Sequence, residues 1–292
     1  MICKKMEITC DYESMGVKAP EKPATLTTYI LDKSTLVNRT WGKRPAVIVC
    51  PGGAYWGCSD REAEPVALAF SGHGFHSFVL EYSCYPTGFP CAITELSKAV
   101  AYVRSIADEH NIDPDQIFIC GFSAGGHLAC SLGMYWNTDW IKAYTGITGE
   151  ENKPNGMILC YPVITDEEAF IHAGSRDNWL CGNEQHRPLF ALEKNVSNDT
   201  PPAFIWHTCT DNGVPVENSL LLALEMRKFV INVELHVFPY GAHGLSLANP
   251  ITADTEWDAY HNRPEVECWM DMACRWVKQQ KNPPKYIRGE GR

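Results

Sequence analysis

The sequence predicts an α/β fold built on a mainly parallel, doubly wound sheet with helices on both faces, and three observations carry that expectation. Six short runs rich in β-branched and aromatic residues recur along the chain, amphipathic stretches with helical spacing separate them, and no internal repeat or low-complexity tract competes with the alternation. In order, the strand-like runs are 45–50 (PAVIVC), 75–82 (FHSFVLEY), 116–121 (QIFICG), 156–161 (GMILCY), 202–207 (PAFIWH) and 233–238 (VELHVF). Several are almost continuously apolar, as parallel strands covered on both faces require.

Between them the helical pattern is clearest over 91–110, where Ile93, Leu96, Val100, Val103 and Ala107 recur every three or four residues. Further helices are expected over 61–72, 127–135, 216–229 and 264–278. Right-handed crossovers place the carboxyl ends of parallel strands on one edge, which is where such sheets bind ligands. One connection is too long for a single helix, the 162–201 segment, and its Trp179, Leu180, Leu189 and Phe190 argue against disorder. It reads as a short cap inserted into one domain that occupies the whole chain, 1–292. The tail after Lys281 (NPPKYIRGEGR) reads as a poorly ordered end.

Composition narrows the function classes. With 35 acidic and 25 basic residues the net charge is −10, which opposes a phosphate backbone and makes nucleic acid an unsuitable partner. No apolar stretch reaches the ~18 residues of a membrane span, and the start (MICKKMEITCDYESMG) lacks a signal-length apolar run, so a cytoplasmic location is expected. The thirteen cysteines are odd in number and none are paired as C-x-x-C. Free buried thiols are expected and a zinc site is not.

The chemistry centres on Gly121-Phe122-Ser123-Ala124-Gly125, which fits G-x-S-x-G with a strand before it and a helix after it. That context is the mechanical requirement of the motif: the serine projects from a sharp turn, and side chains two positions away would clash. A serine hydroxyl needs a base within reach and an acid behind the base. Asp211, in a loop after the 202–207 strand, and His243, in a loop after the 233–238 strand, arrive in the order Ser, Asp, His that this arrangement uses. Glu217 is the nearest rival acid but falls in a helix, and His127 sits in the first turn after the serine, where packing is expected. The loop 50–58 (CPGGAYWGC) supplies an anion site: the amide of Gly53 or Ala54, joined by that of Ala124, would donate to the developing oxyanion. Tyr55, Trp56 and Trp179 are candidate substrate contacts, with core or rim packing an equal expectation for Tyr55 and Trp56.

The segments 50–83, 113–130, 207–229 and 241–246 together resemble the α/β-hydrolase serine esterases of the lipase/esterase and acetyl-xylan-esterase-like group, related to the hormone-sensitive-lipase and prolyl-oligopeptidase types. The likeness runs over about 45–277, with the family's His-Gly-Gly-Gly loop appearing as Pro51-Gly52-Gly53-Ala54. It implies the α/β-hydrolase fold, Ser123, Asp211 and His243 as triad, and hydrolysis of short acyl esters, acetyl above all. The implied partner is a small-molecule or oligosaccharide ester from plant polysaccharide, with no metal and no organic cofactor. An amidase or peptidase on the same triad, such as an aryl-formamidase or an oligopeptidase-like enzyme, is the second reading, and a non-catalytic binding protein of the same fold the third. Oligomeric state is not encoded legibly.

Overall fold

The computed structural model describes residues 1–33, 42–253, 255 and 260–282. Among them, eight strands form one sheet in the order β1-β2-β4-β3-β5-β6-β7-β8. The six expected strands are β3 (Arg44–Cys50), β4 (His76–Glu81), β5 (Ile112–Phe122), β6 (Gly156–Cys160), β7 (Ala203–Thr208) and β8 (Val233–Phe238), all mutually parallel. Every residue of β3, β6 and β7 is buried, which accounts for their unbroken apolar character.

Two strands escape the sequence pattern. β1 (Ile2–Ile8) and β2 (Ala24–Ile30) run antiparallel at one edge, β2 pairing with β4 and β1 with β2. The run ICKKMEI exposes Lys4 and Lys5, and ATLTTYI is rich in threonine; neither has the apolar content that marks a central strand. Lysines on an edge strand discourage pairing with another chain.

Helices cover both faces. The helices Cys91–Ser105, Ala124–Tyr135 and Glu217–Lys228 pack with Ala46, Ile48 and Ile119 of the sheet, while Glu64–Gly72 and Trp269–Gln279 pack with Val47, Val49 and Phe118. Alternate residues of β3 thus feed opposite layers. Two expected helices are split. The 91–110 stretch breaks at Ile106 into Cys91–Ser105 and Ala107–His110, and 264–278 becomes Pro264–Glu267 and Trp269–Gln279. The 61–72 stretch opens as a 3-10 turn, Asp60–Glu62, and continues as Glu64–Gly72 with a proline in its first turn, where a missing N–H is tolerated.

The 162–201 segment contains the helix Ala173–Leu180 and the 3-10 turns Glu184–Leu189 and Leu192–Asn195. Trp179 and Phe190 are buried in it and pack on Phe89 and His127. Asn218 anchors its start, accepting from the amides of Ile164 (2.8 Å) and Thr165 (3.1 Å) and donating to the Phe170 carbonyl (2.9 Å). The tail expected to be poorly ordered lies, from residue 283 onward, outside the described residues. No helix among the described residues is long and apolar enough to cross a membrane.

Candidate active site

Ser123 sits between β5 and the helix Ala124–Tyr135 at φ 52° and ψ −118°. A non-glycine residue held there stores of order 1–3 kcal/mol of backbone strain, retained because the surroundings over-determine it. Its amide donates to the Cys160 carbonyl (3.0 Å), and its carbonyl accepts from the amides of His127 (3.0 Å) and Val163 (3.1 Å). The flanking glycines leave no room for a side chain. A Cβ on Gly121 would lie 2.1 Å from the Gly125 carbonyl oxygen, and one on Gly125 would lie 2.1 Å from the oxygen of Cys50. The second clash is with the neighbouring strand, so the requirement extends beyond the turn.

Asp211 and His243 follow β7 and β8; His243 reaches the serine and Asp211 reaches His243. The His243 Nδ1 lies 2.8 Å from Asp211 Oδ2, and its Nε2 lies 2.8 Å from Ser123 Oγ. Because an ionised carboxylate only accepts, Nδ1 carries the proton and the Nε2 lone pair faces the serine hydroxyl. The Asp211 carboxylate is further fixed through Oδ1, which accepts from the amides of Gly213 and Val214, each at 2.8 Å. Burial pushes its carboxyl upward, but the hydrogen bonds from His207 and His243 and their charges outweigh that and hold it well below the usual range.

His207 is a part of this site that the sequence did not mark. It is fully buried on β7, its Nε2 donates to the Val214 carbonyl (2.9 Å) and lies 3.3 Å from Asp211 Oδ2, and its Nδ1 lies 2.8 Å from Ser219 Oγ. The spacing HTCTD, with histidine four residues before the acid, was its only sequence trace.

The loop after β3 lies against Ser123, since a Cβ on Gly52 would come within 3.0 Å of the Ser123 Cβ. Its shape is set by Trp56 N–H and Gly57 N–H to the Gly53 carbonyl (2.8 and 3.2 Å) and by Ser59 N–H to that of Gly52 (2.9 Å). Gly53, Ala54 and Tyr55 all have positive φ (134°, 55° and 56°). The Gly52 amide is taken by Glu62 Oε2 at 2.8 Å. The amides of Gly53, Ala54 and Ala124 donate to no acceptor among the described residues.

Of the three candidate substrate contacts, only Trp56 presents its ring to solvent. It is 68% exposed and stacks on Tyr85, ring centroids 5.4 Å apart and 16° from parallel. Tyr55 and Trp179 are 3% and 4% exposed and lie packed beneath the surface. Tyr55 Oη donates to His127 Nδ1 (2.8 Å) and Trp179 packs edge-on against the same imidazole, so both rings fill the space under the 162–201 segment. That segment also meets the 50–58 loop, where Asn178 Nδ2 donates to the Ala54 carbonyl (2.9 Å). Burial, then the nearby charge of His243, pushes the His172 imidazole below its ordinary range.

A cavity of about 670 Å³ runs beside the triad loops, lined by Thr210, Asn212, Tyr240 and Ala242 among others. Another of about 790 Å³ lies between Leu68 and Met270, and none of Ser123, Asp211 and His243 forms its wall. Cys10, Cys91 and Glu95 cluster with ligand-type atoms within 4.8 Å of one another, but the Glu95 carboxylate already accepts from the Ser83 amide (2.8 Å) and the Cys91 thiol (3.2 Å).

Comparison with known proteins adds three observations. A family profile described as BD-FAE matches residues 35–226. The endo-1,4-beta-xylanase B of Butyrivibrio fibrisolvens is 40% identical over 215 residues, covering 71% of this chain and 33% of that protein; the acetylxylan esterase of Xylanibacter ruminicola is 28% identical over 225 residues, covering 75% and 43%. The chain therefore spans less than half the length of either. Among solved structures, the acetyl ester-xyloside bifunctional hydrolase from Caldicellulosiruptor lactoaceticus superposes with a TM-score of 0.77 at 32% identity, over 94% of this chain and 96% of that one.

Proposed function

This chain belongs to the BD-FAE family and has the α/β-hydrolase fold, and from that premise we propose that it is a serine carboxylesterase acting on short acyl esters, acetyl esters of plant-polysaccharide oligosaccharides in particular. The observation that carries the reading is the His243 imidazole held between Ser123 Oγ and Asp211 Oδ2, 2.8 Å from each. The names of the xylan-related relatives support the substrate class.

In this reading Ser123 Oγ attacks the ester carbonyl as its proton passes to His243 Nε2, and Asp211 stabilises the imidazolium that forms. The amide of Gly53 or Ala54 and that of Ala124 receive the oxyanion; each such donor is worth about 10²–10³ in rate. His243 then gives its proton to the departing alcohol, leaving an acyl-serine. Water, deprotonated by the same nitrogen, attacks the acyl carbon, and collapse returns the proton to Ser123 and frees the acid. Acyl transfer of this kind calls for no metal or organic cofactor. The 162–201 segment serves as a cap within a single domain, a role supported by the Asn178 bond to the anion loop.

The test compares aryl acetates, an N-formyl anilide and a dipeptide anilide, followed by an acyl series from acetate to octanoate and by acetylated xylo- and manno-oligosaccharides. Ester turnover that prefers acetate, together with fluorophosphonate labelling lost in Ser123→Ala, is expected. Anilide turnover without ester turnover would move the assignment to an amidase, a preference for octanoate would overturn the short-acyl reading, and failure to label would favour a binding protein.

A further inference from the structure

Glu62 is a carboxylate buried beneath the site, 4% exposed, and the acyl-transfer steps above leave it without a task. Its Oε2 accepts from the Gly52 amide at 2.8 Å and its Oε1 from the Tyr161 hydroxyl at 2.6 Å. The Tyr161 oxygen in turn accepts from the Ser246 amide at 2.8 Å, three residues after His243, and the Tyr161 ring lies edge-on to the His243 ring with centroids 5.2 Å apart. The Ser246 hydroxyl closes the circuit by donating to the Arg61 carbonyl at 2.6 Å. One side chain therefore joins the anion loop, the turn after β6 and the loop that carries the base.

The hydrogen-bond inventory fixes its charge. A backbone N–H can only donate, so Ser246 occupies the tyrosine oxygen as donor and leaves the phenolic proton for Glu62, while Gly52 donates to the other oxygen. Two donors facing two oxygens suit an ionised carboxylate. Burial raises the Glu62 carboxyl above its ordinary value, offset only in part by the bonds from Tyr161 and Gly52 and by the charges of His243 and Arg61. The other titratable groups around Glu62, Tyr161 and His243 include Cys120 on β5, Cys160 at the end of β6, His207 on β7, Asp211 in the loop after it, and His172 of the 162–201 segment.

We propose that Glu62 is a positioning residue of the acyl-transfer site, its carboxylate fastening the oxyanion loop and, through Tyr161, the His243 loop to one anchor while its charge favours the His243 imidazolium. The inference rests on the esterase reading. It has a kinetic reason: oxyanion and imidazolium form together, on different loops, and a misplacement of about 1 Å costs up to about 100-fold in rate.

Three variants separate position from charge, with melting temperature recorded to establish folding. Glu62→Ala removes both; kcat on an aryl acetate should fall about 10–100-fold with KM nearly unchanged. In Glu62→Gln the amide oxygen can still accept from Gly52 and the amide nitrogen can donate to Tyr161, so most of kcat should return. The acid limb of the kcat/KM profile should nevertheless move to lower pH, because the imidazolium loses a negative neighbour. Tyr161→Phe should lower kcat as it releases the Ser246 amide. Wild-type kcat in Glu62→Ala, or a Gln variant with an unmoved acid limb, would overturn the proposal. If the alanine variant does not fold, the Gln limb and the Tyr161→Phe rate decide. An unaltered chain with no ester turnover would instead overturn the esterase reading itself.

Discussion

A serine hydroxyl is a weak nucleophile at neutral pH, and in the proposed mechanism residues from three other parts of the chain compensate for that at position 123. His243 and Asp211 were readable because their type, order and placement after successive strands are local facts of the sequence. Tyr55 and Trp179 were less legible for the opposite reason: an aromatic residue near a site fits a substrate contact or the core equally well until its neighbours are known, and in the fold both rings are buried. Trp56 is the one of the three with an exposed ring, and under the proposed function that ring, stacked on Tyr85, would offer an apolar face to a sugar. Loss of a ring stack of about 1–1.5 kcal/mol corresponds to roughly tenfold in affinity. Trp56→Ala should therefore raise KM for acetylated xylo-oligosaccharides about tenfold and leave aryl acetate kinetics unchanged; an equal change on both substrates would remove Trp56 from the sugar site.

At the scale of elements, the strand-turn-helix around Ser123 is held by contacts between neighbouring strands as well as by its own turn. Gly125→Ala would drive a methyl to 2.1 Å from the Cys50 carbonyl, a clash with backbone that cannot rotate away. A loss of about 3 kcal/mol or more in urea unfolding is expected, and a variant as stable as the parent would contradict the packing described for β3 and β5. The central strands were legible because burial on both faces demands uninterrupted apolar residues. The edge strand β1 and its neighbour β2 were not, since a strand of mixed polar and apolar residues is defined by the partner it pairs with, and Thr25 finds Glu81 from 56 residues away. The internal structure of the 162–201 segment depends on Asn218 and Phe89, both outside it, so its sequence could mark an insertion without giving its shape.

Across the whole molecule, the strand order brings the loops after β3, β5, β7 and β8 to one edge, and buried polar groups tie the layers around it. His127 is the clearest tie: fully buried, it accepts from Tyr55 of the anion loop and donates through Nε2 to the Phe190 carbonyl (3.0 Å) of the 162–201 segment. Burial lowers its imidazole to about 4. In the unfolded chain it titrates near 6.5, so below that pH the unfolded state binds a proton that the folded state refuses until about pH 4. Stability contributed by the neutral ring is thus intact above about pH 6.5 and declines on acidification, by about 2 kcal/mol at pH 5. Urea unfolding at pH 7.5 and pH 5 should show a smaller loss in His127→Gln by about that amount; an unchanged loss would mean that His127 protonates as readily folded as unfolded.

The sequence by itself determined the α/β alternation, the serine elbow and the order of its partners, because turn sterics, hydrophobic period and succession along the chain are written within a few residues. Only the tertiary structure decided which rings are core and which are surface, that His207 stands behind Asp211, and that Glu62 meets Tyr161 across 99 positions of sequence. Those facts depend on which strands lie side by side, and adjacency in a sheet is a property of the whole chain's burial rather than of any stretch within it.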